Sequence, residues 1–96
     1  MALLSDEEIL DRLHGSEWRQ DGDEIVRELE FDDFAAAMAF VNRVAQTAEA
    51  ANHHPDILVH GWNKVRLTLT THDDGGLTEA DHAMAERIDA ILGTSP

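Results

Sequence analysis

The spacing of hydrophobic positions changes period several times along the chain. Ser5-Asp6-Glu7-Glu8 has the pattern of a capping box, with Ser5 as N-cap and Glu8 reaching back to it. Ile9, Leu10 and Leu13 follow as a short apolar stripe, and Gly15 suits the helix end. Trp18 to Gln20 predicts a short strand, and Asp21-Gly22 a two-residue hairpin turn. Over residues 24–31 the period falls to two. Ile25, Leu29 and Phe31 share one parity with Arg27, against Glu28 and Glu30, with Val26 and Arg27 as imperfections. Asp32 or Asp33 then caps an alanine-rich helix. Its stripe is Phe34, Met38, Val41, Ala45 and Ala48, widened by Phe40 and Val44, and it runs to about Ala50 or Ala51. Residues 56–60 read as a strand and Gly61 as a bend or bulge. Residues 64–71 alternate cleanly, with Val65, Leu67 and Leu69 facing one way. His72 falls on the polar parity. Asp73-Asp74-Gly75-Gly76 is a turn, and Thr78-Glu79-Ala80-Asp81 opens a last helix with Ala80, Met84, Ile88 and Ile91 as its buried stripe. Residues 93–96 read as a tail.

Helix, two strands, helix, two strands, helix is the order of an α+β two-layer sandwich, a four-stranded antiparallel sheet with helices on one face. Such a small sheet keeps an open face and an exposed edge, which favours a homo-oligomer. The 96 residues suffice for one small domain, 1–96, with one modest core.

Composition narrows the function classes. Twenty acidic residues against seven Lys and Arg leave a formal net charge of −13. A phosphate-backbone partner needs a basic footprint, and an anionic membrane surface attracts basic segments, so neither nucleic acid nor membrane is expected. The absence of cysteine excludes disulfides and thiolate metal sites. The amino terminus has no basic region and no long apolar run, so a cytoplasmic protein is expected.

Candidate chemistry concentrates around His53-His54-Pro55. Proline holds the preceding residue extended, so the two imidazoles should point to opposite sides. A hairpin of residues 56–60 with 64–72 would return His72 to the same end, and three histidines would converge. Zinc is the first alternative. Adjacent histidines do not readily share one tetrahedral ion, however, and no His-x-His, i/i+4 or His-Glu-x-x-His spacing is present. Proton transfer near neutral pH is the remaining chemistry. Asp81, three residues after Thr78, suits a capping box and can also orient a nearby imidazole. Glu49 reads as a solvated last-turn residue within reach of the histidines. Trp62 reads as packing rather than as a stacking platform, and His14, His60 and His82 as surface.

These residues carry a resemblance. Glu49-x-x-x-His53-His54-Pro55, Trp62-Asn63-Lys64-Val65, Thr71-His72, Gly76-Leu77-Thr78 and Asp81 resemble the signature of the pterin-4a-carbinolamine dehydratase family. Residues 18–40 resemble the family too, with Leu29 in place of the first phenylalanine of its Ile-x-Arg-x-Phe-x-Phe pattern. Many members have five residues between the proline and the aromatic, which is tyrosine there. This chain has six, with Trp62, and the extra residue is expected in a bulge near Gly61. The resemblance implies dehydration of 4a-hydroxytetrahydropterin to quinonoid dihydropterin, without metal or organic cofactor, by a homodimer or homotetramer. Under it, His53 and His72 are candidate acids for the 4a-hydroxyl, His54 binds the pterin or handles the N5 proton, and Asp81 orients a histidine. Substrate contacts are expected from Glu49, His54, Pro55, Trp62 and Thr71. Relatives that stabilise the dimer of a transcription factor or assist assembly offer the alternative of a non-enzymatic binding module.

Overall fold

The computed structural model describes residues 2–93. Helix α1 (Asp6–Leu13) is followed by strands β1 (Arg19–Asp21) and β2 (Glu24–Glu30) and by helix α2 (Phe34–Ala51). Strands β3 (Asp56–His60) and β4 (Lys64–Leu69), a single 3-10 turn (His72–Asp74) and helix α3 (Glu79–Gly93) complete the order. The sheet is antiparallel throughout, in the order β1-β2-β4-β3. This is the α+β sandwich that the hydrophobic pattern predicts. Among the described residues no helix is long and apolar enough to cross a membrane.

Both local caps form as the sequence dictates. Ser5 Oγ accepts the Glu8 N–H, and the Glu8 carboxylate accepts the Ser5 N–H. Asp33, the second of the two candidate caps, accepts the Ala36 N–H at 2.7 Å. Strand register follows parity. Ile25 pairs with Leu69, Leu29 with Val65, and Ile57 with Leu67 on the helix-covered face. Val26, Glu28, Arg66, Thr68 and Leu58 belong to the opposite parity. Ile25, Val65, Leu67, Leu69, Val44, Ala37 and Ile88 are fully buried and make the centre of the core with Phe40, Ala48 and Met84. Burying that apolar area is the main favourable term for a domain of this size.

The structure departs from the pattern at several points. The hairpin turn is Gly22-Asp23, closed by the Asp21–Glu24 pair, because Gly22 (φ +61°) supplies the positive φ that a tight hairpin needs at its first central position. The buried stripe of α2 is Ala37, Phe40, Val44 and Ala48, and Phe34 is half exposed in the first turn. The buried face is rotated from the expected stripe, so Phe40 rather than Phe34 is the aromatic that faces in. The β3–β4 register runs unbroken to His60–Lys64, so no bulge forms. The turn 61–63 takes up the extra residue, with Gly61 and Trp62 both left-handed. Trp62 is consequently 61 % exposed rather than packed. β4 ends at Leu69, and His72 begins the 3-10 turn instead of extending the strand, although it stays exposed. Of the tail, Gly93 ends α3 and residues 94–96 lie outside the described residues.

His82 is the largest correction. The helical stripe leaves it on the polar side of α3, yet it is only 6 % exposed. α1 lies against that side of α3, where Arg12 pairs with Glu79 and shares a cleft with His82 and Asp89. His82 Nε2 is buried without a hydrogen-bond partner among the described residues. Burial pushes this imidazole below its ordinary value. The Arg12 charge acts in the same direction, while Glu79, Asp81 and Glu86 oppose it. The folded state therefore prefers the neutral ring, and the unfolded chain takes up the proton more readily. Its contribution to stability is intact above about pH 6.5 and is lost as pH falls below that value. Urea unfolding at pH 7.5 and at pH 5 should show a smaller pH-dependent loss in His82→Leu than in the parent protein. Identical losses in the two would contradict this assignment.

Candidate active site

Each side chain of the candidate site is delivered by the end of an element. α2 closes with Asn52 in the left-handed conformation (φ +52°). The His53 N–H donates to Ala48 O at 3.2 Å and the Asn52 N–H to Glu49 O at 3.2 Å, the two bonds of a Schellman ending. That ending turns the chain sharply before Pro55, and β3 begins at Asp56. The two imidazoles then diverge, as the extended backbone before proline requires. His53 Nε2 lies 2.6 Å from Asp81 Oδ1, while His54 Nε2 lies 2.7 Å from Glu49 Oε2.

The two contacts differ in character. The Asp81 side chain is fully buried and His53 is 17 % exposed, so that pair is shielded from water. His54 and Glu49 are 55 % and 77 % exposed, and a pair so open adds little to stability. Asp81 also fills the capping position of α3. Its Oδ2 accepts the Thr78 N–H at 2.9 Å and the Thr71 hydroxyl at 2.8 Å. One carboxylate thus ties together the start of α3, the residue beside His72, and His53.

The β3–β4 hairpin returns the chain to the histidines. Thr71 and His72 stand beside His53 and His54 and share with them a cleft of about 230 Å³. Asn52, Thr70 and Asp73 complete its lining. A neighbouring hollow of about 370 Å³, shared through Thr70 and His72, is lined by Asp21, Asp23 and Glu24 of the β1–β2 hairpin. The fold therefore brings His53, His54, His72 and Thr71 together, with Asp81 directly behind His53 and Glu49 on the rim. Pro55 is half-buried next to His54. Trp62 stands apart, in the turn at the other end of β3 and β4, about one strand length away.

Asn52, Thr70 and Asp73 are lining residues that sequence reasoning missed. Asn52 had a local signal, since a left-handed cap at the end of an alanine-rich helix must project beside the residue that follows it. Thr78 was read as a cap only, yet its hydroxyl also touches Thr71 Oγ1 at 2.9 Å. Chemically, the cleft offers three titratable rings, one of them braced by a buried carboxylate, around a space open to a flat ligand. That is the equipment of general acid–base catalysis.

The chain is similar to known proteins over nearly its whole length. Residues 2–91 match the family model described as pterin 4 alpha carbinolamine dehydratase. A protein of Acidobacterium capsulatum, named provisionally as a pterin-4-alpha-carbinolamine dehydratase, is 53 % identical over 93 residues, covering 96 % of this chain and all of its own. A protein of Haloarcula marismortui with the same provisional name is 49 % identical over 89 residues, 93 % of this chain and 95 % of its own. The crystal structure of a transcriptional coactivator/pterin dehydratase from Brucella melitensis superposes with a TM-score of 0.87 at 33 % identity, covering 94 % of this chain and 98 % of that one. A pterin dehydratase-like protein identified as a RuBisCO assembly factor in the alpha-carboxysome superposes with a TM-score of 0.70 at 32 % identity, covering 85 % and 96 %.

Proposed function

The chain belongs to the pterin-4-alpha-carbinolamine dehydratase family, and from that premise we propose that it dehydrates a 4a-hydroxytetrahydropterin to the quinonoid dihydropterin, recycling a pterin cofactor in the cytoplasm. The observation that carries the reading is the convergence of His53, His54 and His72 on one cleft with buried Asp81 bonded to His53.

The reaction breaks the C4a–O bond and removes the proton on N5. The leaving hydroxyl takes a proton and departs as water, while the N5–H electron pair forms the N5=C4a double bond. No electrons are gained or lost overall, so the step is complete with proton transfers alone and calls for no metal or organic cofactor. His53 and His72 are the acids for the hydroxyl, placed to approach from different sides of the ring. His54 holds the pterin or takes the N5 proton. Asp81 orients and polarises His53, and Glu49 steadies His54. Pro55 and Thr71 border the substrate, and Trp62 reaches a pterin only if an assembled copy brings it there. Edge strand β3 with its exposed Leu58, and the open sheet face, favour a homodimer or homotetramer.

The test is a coupled assay in which freshly generated 4a-carbinolamine is followed spectroscopically. The protein should raise the rate of quinonoid dihydropterin formation well above the spontaneous rate. No acceleration at micromolar protein would overturn the proposal. The second reading, an assembly or coactivator module, draws on the coactivator and assembly-factor descriptions of the two superposed structures. A partner captured equally by the parent protein and by His54→Ala would favour it.

A further inference from the structure

Thr71 sits where three constraints meet. Its N–H donates to Gly76 O at 3.0 Å, and its carbonyl accepts from Asp74 at 3.1 Å and Gly75 at 3.0 Å, so its main chain is fixed by the loop it begins. His72 is the next residue. The Thr71 side chain enters the polar network, where its Oγ1 lies 2.8 Å from Asp81 Oδ2 and 2.9 Å from Thr78 Oγ1.

Counting protons gives this network one direction. A hydroxyl has a single proton to donate. Thr71 donates its own to the Asp81 carboxylate, which only accepts. The contact between the two threonines must then be donated by Thr78. Thr78 Oγ1 in turn accepts the Ala80 N–H at 3.2 Å. The chain runs from the Ala80 amide through Thr78 and Thr71 to Asp81 Oδ2. The Thr78 N–H lands on the same oxygen at 2.9 Å. With Oδ2 engaged by two donors, Oδ1 is the oxygen left for His53. A carboxylate acceptor there requires the proton of the neutral ring to lie on Nε2, which leaves Nδ1 as the nitrogen that exchanges protons with a ligand.

We propose that Thr71 is a positioning residue whose hydroxyl, aimed by Thr78, holds Asp81 so that His53 is kept as the Nε2–H tautomer while His72 is anchored in the same frame. The inference rests on the dehydratase reading for its consequence in turnover, but not for the tautomer itself. Thr71 borders the cleft, but its hydroxyl is committed to Asp81 and acts through that carboxylate. Removing such a supporting hydrogen bond is expected to lower activity by about ten- to a hundredfold.

The experiment compares Thr71→Val, which keeps the shape and loses the hydroxyl, with Thr71→Ser, which keeps the hydroxyl. Long-range 15N–1H correlation spectra of the ligand-free protein report the tautomer of each ring, with His53 assigned by the signal lost in His53→Gln. The parent protein and Thr71→Ser should show His53 as a single Nε2–H tautomer. Thr71→Val should show a mixture, with kcat reduced at least tenfold, KM little changed, and most of the kcat retained in Thr71→Ser. A single unchanged tautomer in Thr71→Val overturns the proposal, as does equal impairment of the Val and Ser variants. Should melting show Thr71→Val unfolded, Thr71→Ala carries the same comparison. A tautomer shift in a protein without turnover in any form would uphold the role of Thr71 and overturn the dehydratase reading instead.

Discussion

Asp81→Asn is expected to cut turnover about a hundredfold or more while leaving a folded protein, whereas Asp81→Ala loses both activity and stability. The carboxylate accepts three hydrogen bonds, from His53, the Thr71 hydroxyl and the Thr78 N–H, in a fully buried position. An amide has one oxygen and one NH2 group. Placed with its oxygen toward Thr78 and Thr71, it keeps the helix cap but turns a donor toward His53. The ring must then accept at Nε2 and carry its proton on Nδ1, the reverse of the arrangement the carboxylate enforces. Placed the other way, the amide sets a donor against the Thr78 N–H and leaves a buried donor unsatisfied, which costs about 1–3 kcal/mol. The first placement is the cheaper one, so Asn preserves the fold and reverses the ring.

Alanine removes every acceptor at once. The Thr78 N–H and the Thr71 hydroxyl lose their partner, and α3 loses the Asp81 half of its cap, keeping the Thr78 hydroxyl on the Ala80 N–H. The expected cost is about 2–4 kcal/mol, summing one lost capping contact and one buried unsatisfied donor. For a domain of this length each kcal/mol lowers the melting temperature by about 4–8 °C. Melting curves alongside the coupled assay separate the two roles. Asn should fall in rate with a small thermal shift, and Ala should fall in both. An Asn variant with undiminished turnover would remove Asp81 from the mechanism and leave it as a cap alone.

What could be read from the chain before its fold was known follows the range of the interactions involved. Ser5 with Glu8, and Asp33 with Ala36, are three-residue contacts, so they are visible as local patterns. The alternation of Val65, Leu67 and Leu69 is equally local, and a strand buried on one face must show it. The convergence of His53, His54 and His72 needed only one non-local step, the β3–β4 pairing, and a short turn makes that pairing almost unavoidable. The errors lie where a distant element decides the outcome. His82 is buried because α1 lies beside it, and no neighbour within α3 announces that docking. Trp62 is exposed because a three-residue turn adopts left-handed geometry at a bulky residue, against the usual preference. Phe34 is exposed because α2 docks with Ala37, Phe40, Val44 and Ala48 inward, a face rotated from the stripe that begins at Phe34. The hydroxyl chain through Thr78 and Thr71 was hidden for a related reason. Threonine at a helix start already has a sufficient local explanation, and the second bond appears only once the loop after β4 folds back.

His53→Ala and His72→Ala are each expected to lower turnover of the carbinolamine stereoisomer on their own side by about 10²–10⁴-fold, and the double variant to lose both isomers. The proposed elimination needs one proton delivered to oxygen and one removed from nitrogen, and three rings line the cleft. Two acids placed on different sides of a planar substrate can each serve only the hydroxyl that leaves from its own side. If the enzyme meets a single stereoisomer of the carbinolamine, one of the two single variants will be the more damaging. The stereoisomer assays then assign the side. If both isomers are turned over, each single variant will lose one of them selectively, and only the double variant will lose both. His53 carries the stronger expectation, because buried Asp81 at 2.6 Å holds its ring in a fixed orientation. His72 stands on an exposed 3-10 turn, with an acidic hollow on its far side rather than a bonded carboxylate. Full activity in the double variant would show that neither ring delivers the proton and would move the acid role to His54.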